Sequence, residues 1–185
     1  MGRLRISANA VTFIRICGTF VLLFLKPFSV AFFAVYTVAG ITDVLDGFIA
    51  RKTGTASDLG ARLDSLADIV FYGVMIIKLF KILAETFPLY VWFTAGAALI
   101  LRICTYIVAA VKYRKFASLH TYLNKLTGLC VFLIPYFFKL PVGTAYCFIV
   151  GLVGIAASAE ELVIHLMNIN YDANKKSVFL KLKSE

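Results

Sequence analysis

Acidic residues are scarce in this chain. Its 185 residues include 10 Asp and Glu against 19 Lys and Arg, which gives a formal net charge of +9. Charged residues of all kinds make up only 16% of the chain, whereas hydrophobic residues make up 61%, and the mean hydropathy is +0.89. This composition excludes an ordinary soluble domain and predicts a protein that crosses a membrane several times.

Cysteine and histidine are too few, and too scattered, to form a zinc site or a disulfide framework. The four cysteines lie in apolar runs without metal-ligand spacing and indicate small packing residues: Cys17, Cys104, Cys130 and Cys147. The excess of positive charge does not predict a nucleic-acid partner, because the cations flank apolar segments and no nucleic-acid-binding motif accompanies them. We therefore expect membrane lipids, and no nucleic acid, among the partners.

Long apolar runs predict an all-α fold with six transmembrane helices in a single domain, residues 1–185. Stretches of about 20 apolar residues, the length that crosses a bilayer, lie at 8–25, 29–51, 60–82, 88–111, 119–138 and 141–164. Most of the Lys and Arg residues in the connections fall on the side that carries the two termini and the link between the second and third helices. The positive-inside rule places that side in the cytoplasm.

Four of the few acidic residues form a regular pattern. Asp43 and Asp46 are three residues apart, Asp64 and Asp68 are four apart, and each pair shares one face of a helix. A short polar link, Arg51–Ser57, makes the two helices antiparallel and points both acidic faces at one region. An Asp at the bilayer centre costs about 2.5–3.5 kcal/mol on insertion scales, so the cluster needs compensating cations. Carboxylates without Cys or His suit Mg²⁺ or Mn²⁺, and the pattern predicts a site for two such cations.

The residues from Asp43 to Asp68 fit the pattern D-x2-D-G-x2-A-R-x8-G-x3-D-x3-D at every fixed position. This stretch resembles the signature of the CDP-alcohol phosphatidyltransferase family, integral membrane enzymes of phospholipid head-group synthesis. One alternative is a polar loop whose acids pair with Arg51 and Arg62. Another is a non-catalytic membrane protein that binds or transports ions. Neither alternative explains why the arginine and both glycines of the pattern are present.

The resemblance implies transfer of a phosphatidyl group from CDP-diacylglycerol to a small polar alcohol, with release of CMP. It also implies a homodimer. We expect the protein in the bacterial cytoplasmic membrane, with the site facing the cytoplasm as the distribution of Lys and Arg indicates. Two divalent cations, Mg²⁺ or Mn²⁺, would be bound by Asp43, Asp46, Asp64 and Asp68, and Asp68 would also accept the proton of the acceptor hydroxyl. CDP-diacylglycerol would contact a further set of residues: Thr42, Gly47, Ala50, Arg51, Gly60, Asn9 and Arg15.

The N-terminal part of that assignment has an alternative. Asn9, Thr12 and Arg15 are three residues apart in sequence, and a similar arrangement precedes the first membrane helix of many family members. A helix start capped by Ser7 or Asn9, with Arg15 extending to the membrane surface, accounts for the same residues equally well.

The acceptor alcohol stays open. The run Asp64-Ser65-Leu66-Ala67-Asp68 resembles serine-using members of the family, but Phe71-Tyr72-Gly73-Val74-Met75 departs from their pattern. L-serine is therefore the first candidate for the acceptor, as in phosphatidylserine synthases. Glycerol 3-phosphate, as in phosphatidylglycerophosphate synthases, is the alternative, and inositol-type acceptors come third.

Charged residues inside the later spans are the remaining candidates. Arg102 and Lys125 each need an anion or the water interface nearby, and we expect them to bind the phosphate or carboxylate of the acceptor. Glu161 and His165 share a face near the end of the sixth span. The sequence leaves the roles of Glu160, Glu161 and His165 open.

Overall fold

A computed structural model describes the backbone of residues 8–53, 58–114 and 121–167, and the side chains of residues 13–42, 66–114 and 121–167. The described residues form six helices: α1 (Ala8–Phe24), α2 (Val30–Thr53), α3 (Asp58–Thr86), α4 (Leu89–Tyr113), α5 (Tyr122–Phe137) and α6 (Gly143–Met167). The chain divides into two compact units, Met1–Thr86 with α1 to α3 and Phe87–Glu185 with α4 to α6. The predicted all-helical class is confirmed.

The helices lie where the apolar runs predicted them, with differences of a few residues at their ends. The polar link was predicted to begin at Arg51, but α2 continues through Thr53. Arg and Lys end an apolar run and are nevertheless good helix formers, so hydropathy placed this boundary too early. The fifth helix was predicted from residue 119, whereas Thr121 is its N-cap and accepts a hydrogen bond from the backbone N–H of Asn124 at 3.2 Å.

Two helices, α4 and α6, are long and apolar enough to cross a membrane. Shorter apolar helical stretches lie at Phe13–Phe24, Val30–Thr42 and Tyr122–Phe137. Within the described residues these features support membrane association. The six crossings and the cytoplasmic termini stay predictions.

A tight turn joins α1 to α2 in the first unit. The N–H of Ser29 donates to the carbonyl of Lys26 at 3.2 Å, and Phe28 takes a left-handed conformation with φ of 61°. The hydroxyl of Ser29 then accepts from the N–H of Phe32 at 3.2 Å and caps the start of α2. The two helices therefore run antiparallel from a defined corner.

Aromatic stacking and one lysine bind α3 to the other two helices of this unit. The buried rings of Phe32, Tyr36 and Phe71 stack in sequence, with centroids 5.8 Å and 5.4 Å apart. Lys78 of α3 donates to the carbonyl of Leu23 at 2.8 Å, which satisfies an acceptor left open at the end of α1. These contacts set α3, and with it the last aspartate of the motif, against α1.

In the second unit, small residues let α6 lie very close to α4. A Cβ atom added at Gly151 would come within 2.7 Å of Cβ of Thr94, and one added at Gly154 within 3.3 Å of Cβ of Ala98. The hydroxyl of the buried Thr105 donates to the carbonyl of Ser158 at 3.2 Å. Close packing of this kind supplies the van der Waals contact that holds helices together where water provides no driving force.

Candidate functional site

The aspartate motif lies on two helices of the first unit, as its spacing predicts. The backbone of α2 carries Asp43 and Asp46, and that of α3 carries Asp64 and Asp68. The described side chains do not include those of eight predicted site residues: Asn9, Asp43, Asp46, Gly47, Ala50, Arg51, Gly60 and Asp64. The convergence of the two acidic faces therefore stays a prediction.

Asp68 is the motif aspartate whose side chain the structure describes, and it pairs with Arg15 of α1. Nη1 of Arg15 lies 3.2 Å from Oδ1 of Asp68. The arginine is 2% exposed and the aspartate side chain 45% exposed. A guanidinium buried this completely needs a nearby anion, and Asp68 supplies it.

This pairing bears on one of the two interpretations of the N-terminal pattern, and the contact of Arg15 with CDP-diacylglycerol stays a prediction. Extension of its side chain to the membrane surface is contradicted, because the guanidinium is buried against α3. The anion beside the buried guanidinium is Asp68. The first helix thus reaches the last aspartate of the motif.

Thr42 and Arg15 lie at one end of a cavity between α1 and α2. The cavity has a volume of about 480 Å³, and the rest of its lining is mostly apolar. Thr42 is half-buried, and its hydroxyl donates to the carbonyl of Ala39 at 2.8 Å. Because Asp43 follows Thr42 directly in the sequence, this end of the cavity adjoins the start of the motif.

A second polar cluster joins the three helices of the other unit. Nη1 of Arg102 on α4 donates to Oδ1 of Asn124 on α5 at 2.9 Å and also to Oε2 of Glu161 on α6. Nδ2 of Asn124 donates to the same Glu161 oxygen at 2.6 Å, which closes a three-membered ring. The Glu161 side chain is fully buried and that of Arg102 is 26% exposed. Oε1 of Glu161 lies 3.6 Å from Nε2 of the buried His165.

Sequence reasoning missed the partnership between Arg102 and Glu161. Both charges were noted, and the requirement that each find a partner was the available signal. The sequence did not indicate a partner for Asn124, since an amide side chain in an apolar helix can form hydrogen bonds with many kinds of residue. Lys125, the neighbour of Asn124, is exposed and makes no ion pair among the described residues.

Among the described side chains, no three His, Cys, Asp or Glu residues come together as a metal-binding group. Three of the four predicted metal ligands, Asp43, Asp46 and Asp64, are not among those side chains. The donor set and the helical backbone are therefore what supports a metal site here, and metal binding remains a proposal.

Comparison with known proteins supports the motif. The family model described as CDP-alcohol phosphatidyltransferase matches residues 5–166. The CDP-diacylglycerol–serine O-phosphatidyltransferase of Methanocaldococcus jannaschii is 36% identical over 113 residues, which cover 61% of this chain and 49% of that protein. The CDP-diacylglycerol–glycerol-3-phosphate 3-phosphatidyltransferase of Pseudomonas fluorescens is 32% identical over 98 residues, or 50% of this chain and 48% of that protein.

A shorter stretch of 55 residues is 47% identical to the cardiolipin synthase (CMP-forming) of Rattus norvegicus and covers 29% of this chain and 18% of that protein. The chain spans about half the length of the first two relatives. No solved structure gives a significant match. Because the family model covers most of the sequence and includes the whole aspartate pattern, the chain belongs to the CDP-alcohol phosphatidyltransferase family.

Proposed function

We propose that this protein transfers the phosphatidyl group of CDP-diacylglycerol to a small polar alcohol and releases CMP. The observation that carries the proposal is the complete aspartate pattern on α2 and α3, with its last member held against Arg15 of α1. Family membership supports the same reaction. A structural or transport role would need the acids but not the arginine and glycines at their fixed positions.

The donors of the motif fit two divalent cations. Four carboxylates on two helical faces provide oxygen ligands and negative charge, and no Cys or His is present among them. Asp43, Asp46 and Asp64 would hold Mg²⁺ or Mn²⁺, with Asp68 at the edge of the group. When bound, such cations offset the charge of a diphosphate and of the oxygens that attack and leave.

The chain's own residues position the reactants. The acceptor oxygen forms a bond to the β-phosphorus of CDP-diacylglycerol, and the bond from that phosphorus to the CMP oxygen breaks. Asp68 takes the proton of the acceptor hydroxyl on its carboxylate, which Arg15 orients from α1. Arg51 neutralises diphosphate charge, and Thr42 and Ala50 contact the nucleotide. Gly47 and Gly60 let it approach the helix backbones closely.

L-serine is the acceptor that we propose first. The run Asp64-Ser65-Leu66-Ala67-Asp68 and the similarity to an archaeal serine O-phosphatidyltransferase both favour it. Glycerol 3-phosphate is the second candidate, because a glycerol-3-phosphate 3-phosphatidyltransferase is also similar, at 32% identity over 98 residues. Lys125, which is exposed, is the proposed contact for the acceptor anion. Arg102 is the weaker candidate because Glu161 already offsets its charge.

The membrane location and the orientation of the protein are the next part of the proposal. We propose that the chain is an integral protein of the bacterial cytoplasmic membrane, with six crossings and the motif facing the cytoplasm. The homodimer of the family is part of the same proposal. These points rest on the apolar helices and the distribution of Lys and Arg in the sequence.

Release of CMP from CDP-diacylglycerol by the purified protein tests the reaction. We expect release with Mn²⁺ or Mg²⁺, none with a chelator, and a strong increase on adding the true acceptor. Serine, glycerol 3-phosphate and inositol phosphate are supplied in turn. Phosphatidylglycerol is a fourth arm, because a cardiolipin synthase is among the similar proteins. Metal-dependent ion flux across vesicles without any CMP release would favour the transport alternative instead.

A further inference from the structure

The ion pair between Arg15 of α1 and Asp68 of α3 is buried on one side and open on the other. The Arg15 side chain is 2% exposed, whereas that of Asp68 is 45% exposed. Burial of a long cationic side chain restricts its rotamers, and arginine is rarely buried this far unless it is paired. The pair therefore keeps its guanidinium inside the first unit and presents its carboxylate where a reactant can reach it.

Packing on both helices fixes the two partners. Thr19 and Leu22 follow Arg15 by four and seven residues on α1, and both are fully buried, so this face of the helix points into the protein. On α3, Ala67 directly precedes Asp68 and is also fully buried. The distance of 3.2 Å between Nη1 of Arg15 and Oδ1 of Asp68 is thus set by helix packing. Two mobile surface side chains would not hold it.

The same burial leaves Arg15 little surface with which to bind a substrate. A direct contact with the diphosphate of CDP-diacylglycerol requires N–H groups that the ligand can approach, and only 2% of this side chain is exposed. Arg15 lines the cavity between α1 and α2, but most of that lining is apolar. Asp68 is the exposed member of the pair. The geometry therefore lets Arg15 act on a reactant through Asp68.

The proposed role of Asp68 depends strongly on the orientation of its carboxylate. A general base has to lie within about 2.6–3.2 Å of the atom that gives up the proton. An exposed aspartate on a helix can otherwise change its side-chain rotamer. A charge-assisted hydrogen bond to a buried guanidinium removes that freedom. A misplacement of about 1 Å can lower a rate about 100-fold.

We propose that Arg15 is a positioning residue for the reaction. It holds the Asp68 carboxylate in the orientation that takes the proton of the acceptor hydroxyl as the acceptor oxygen bonds to phosphorus and CMP leaves. It takes this role in place of the predicted contact with the liponucleotide. The inference rests on the proposed function and deepens it, because it assigns the first helix to the step at the acceptor.

Arg15→Met tests this role, since it removes the cation and keeps a side chain that can be buried. We expect kcat for CMP release to fall about 100-fold, with KM for CDP-dioleoylglycerol close to the wild-type value. Lys78→Met is the matched control. Lys78 also joins α3 to α1, through its bond to the carbonyl of Leu23 at 2.8 Å, but it lies ten residues beyond Asp68. Its loss should leave kcat near the wild-type value.

Binding without turnover gives the second measurement. CDP-dioleoylglycerol is added with Mn²⁺ but without an acceptor, and the rise in melting temperature reports its binding to the folded protein. The rise should be the same for wild type and Arg15→Met. Arg15→Lys should recover most of the lost kcat, because an ammonium can still pair with one carboxylate oxygen. Arg15→Gln is measured in parallel and replaces the methionine variant if that protein does not fold.

The outcomes separate this inference from the proposed function. Absence of CMP release from the wild-type protein with every acceptor overturns the function. Normal wild-type release, with a raised KM or a lost melting shift in Arg15→Met, overturns the inference alone and places the arginine at the liponucleotide. Unchanged kcat in Arg15→Met also overturns it.

Three other results would show a purely structural arginine. The first is an equal loss of kcat in Lys78→Met, which would trace the effect to looser packing of α1 on α3. The second is a kcat of Arg15→Lys as low as that of Arg15→Met. The third is failure of both Arg15→Met and Arg15→Gln to fold. Each of these results overturns the positioning role.

Discussion

Removal of Arg102 should destabilise the second unit more than removal of its partner Glu161. Arg102→Met leaves the Glu161 carboxylate, which is fully buried, without its cation, although Asn124 still donates to it. Breaking a buried pair in this way costs about 3–5 kcal/mol. Glu161→Gln instead leaves a guanidinium that is 26% exposed and keeps its bond to Asn124. We expect this second change to cost about 1–3 kcal/mol, the desolvation penalty of a partly satisfied group.

A double-mutant cycle isolates the pair. The variant with both changes should be about as stable as Glu161→Gln alone, because no buried carboxylate then remains to be neutralised. The resulting interaction energy then equals the cost of Arg102→Met alone, about 3–5 kcal/mol, at or above the upper end of the range for residues that share one network. Thermal unfolding in detergent, followed by near-ultraviolet circular dichroism with a fixed scan rate, compares the four proteins.

Lys125→Gln is the matched control, since Lys125 is an exposed cation on α5 next to Asn124. A surface change of this kind should alter stability by no more than about 0.5 kcal/mol. A stable Arg102→Met protein with a raised KM for the acceptor would refute the reasoning. It would show that the arginine binds acceptor and that Glu161 does not depend on it.

Three further predictions concern the reaction and the topology. Metal-dependent CMP release should be abolished, while the protein still inserts, by each of three single changes: Asp43→Asn, Asp46→Asn and Asp64→Asn. Near-normal turnover in two of these variants would exclude a two-metal site. Lys125→Gln should lower kcat/KM for the acceptor by roughly ten- to 150-fold, from a lost contact of about 1.5–3 kcal/mol. Its KM for CDP-diacylglycerol should change little, and the reverse pattern in steady-state kinetics would place the lysine at the nucleotide. In a background without the native cysteines, Gly54→Cys and Arg114→Cys should react with an impermeant maleimide only from the cytoplasm, and Glu85→Cys only from outside. Opposite labelling would invert the proposed orientation.

Much of the fold and the identity of the motif could be predicted from the sequence. Six helices follow from six apolar runs, because a bilayer-length run has few other ways to satisfy its backbone. The spacing of Asp43, Asp46, Asp64 and Asp68 requires only helical geometry to place each pair on one face. Helix ends were less predictable, as α2 shows by continuing through Thr53, since hydropathy and helix propensity report different properties of Arg and Lys.

Tertiary structure decided which charges are partners. The sequence shows that Arg15 and Arg102 need anions, but several acids were available to each. Asp68 is 53 residues from Arg15, and Glu161 is 59 residues from Arg102. Such pairings depend on how helices pack, which local patterns do not encode. The cavity between α1 and α2 also depends on helix packing. It exists because Gly18 on α1 and Ala34 on α2 are small residues that leave space between the two helices.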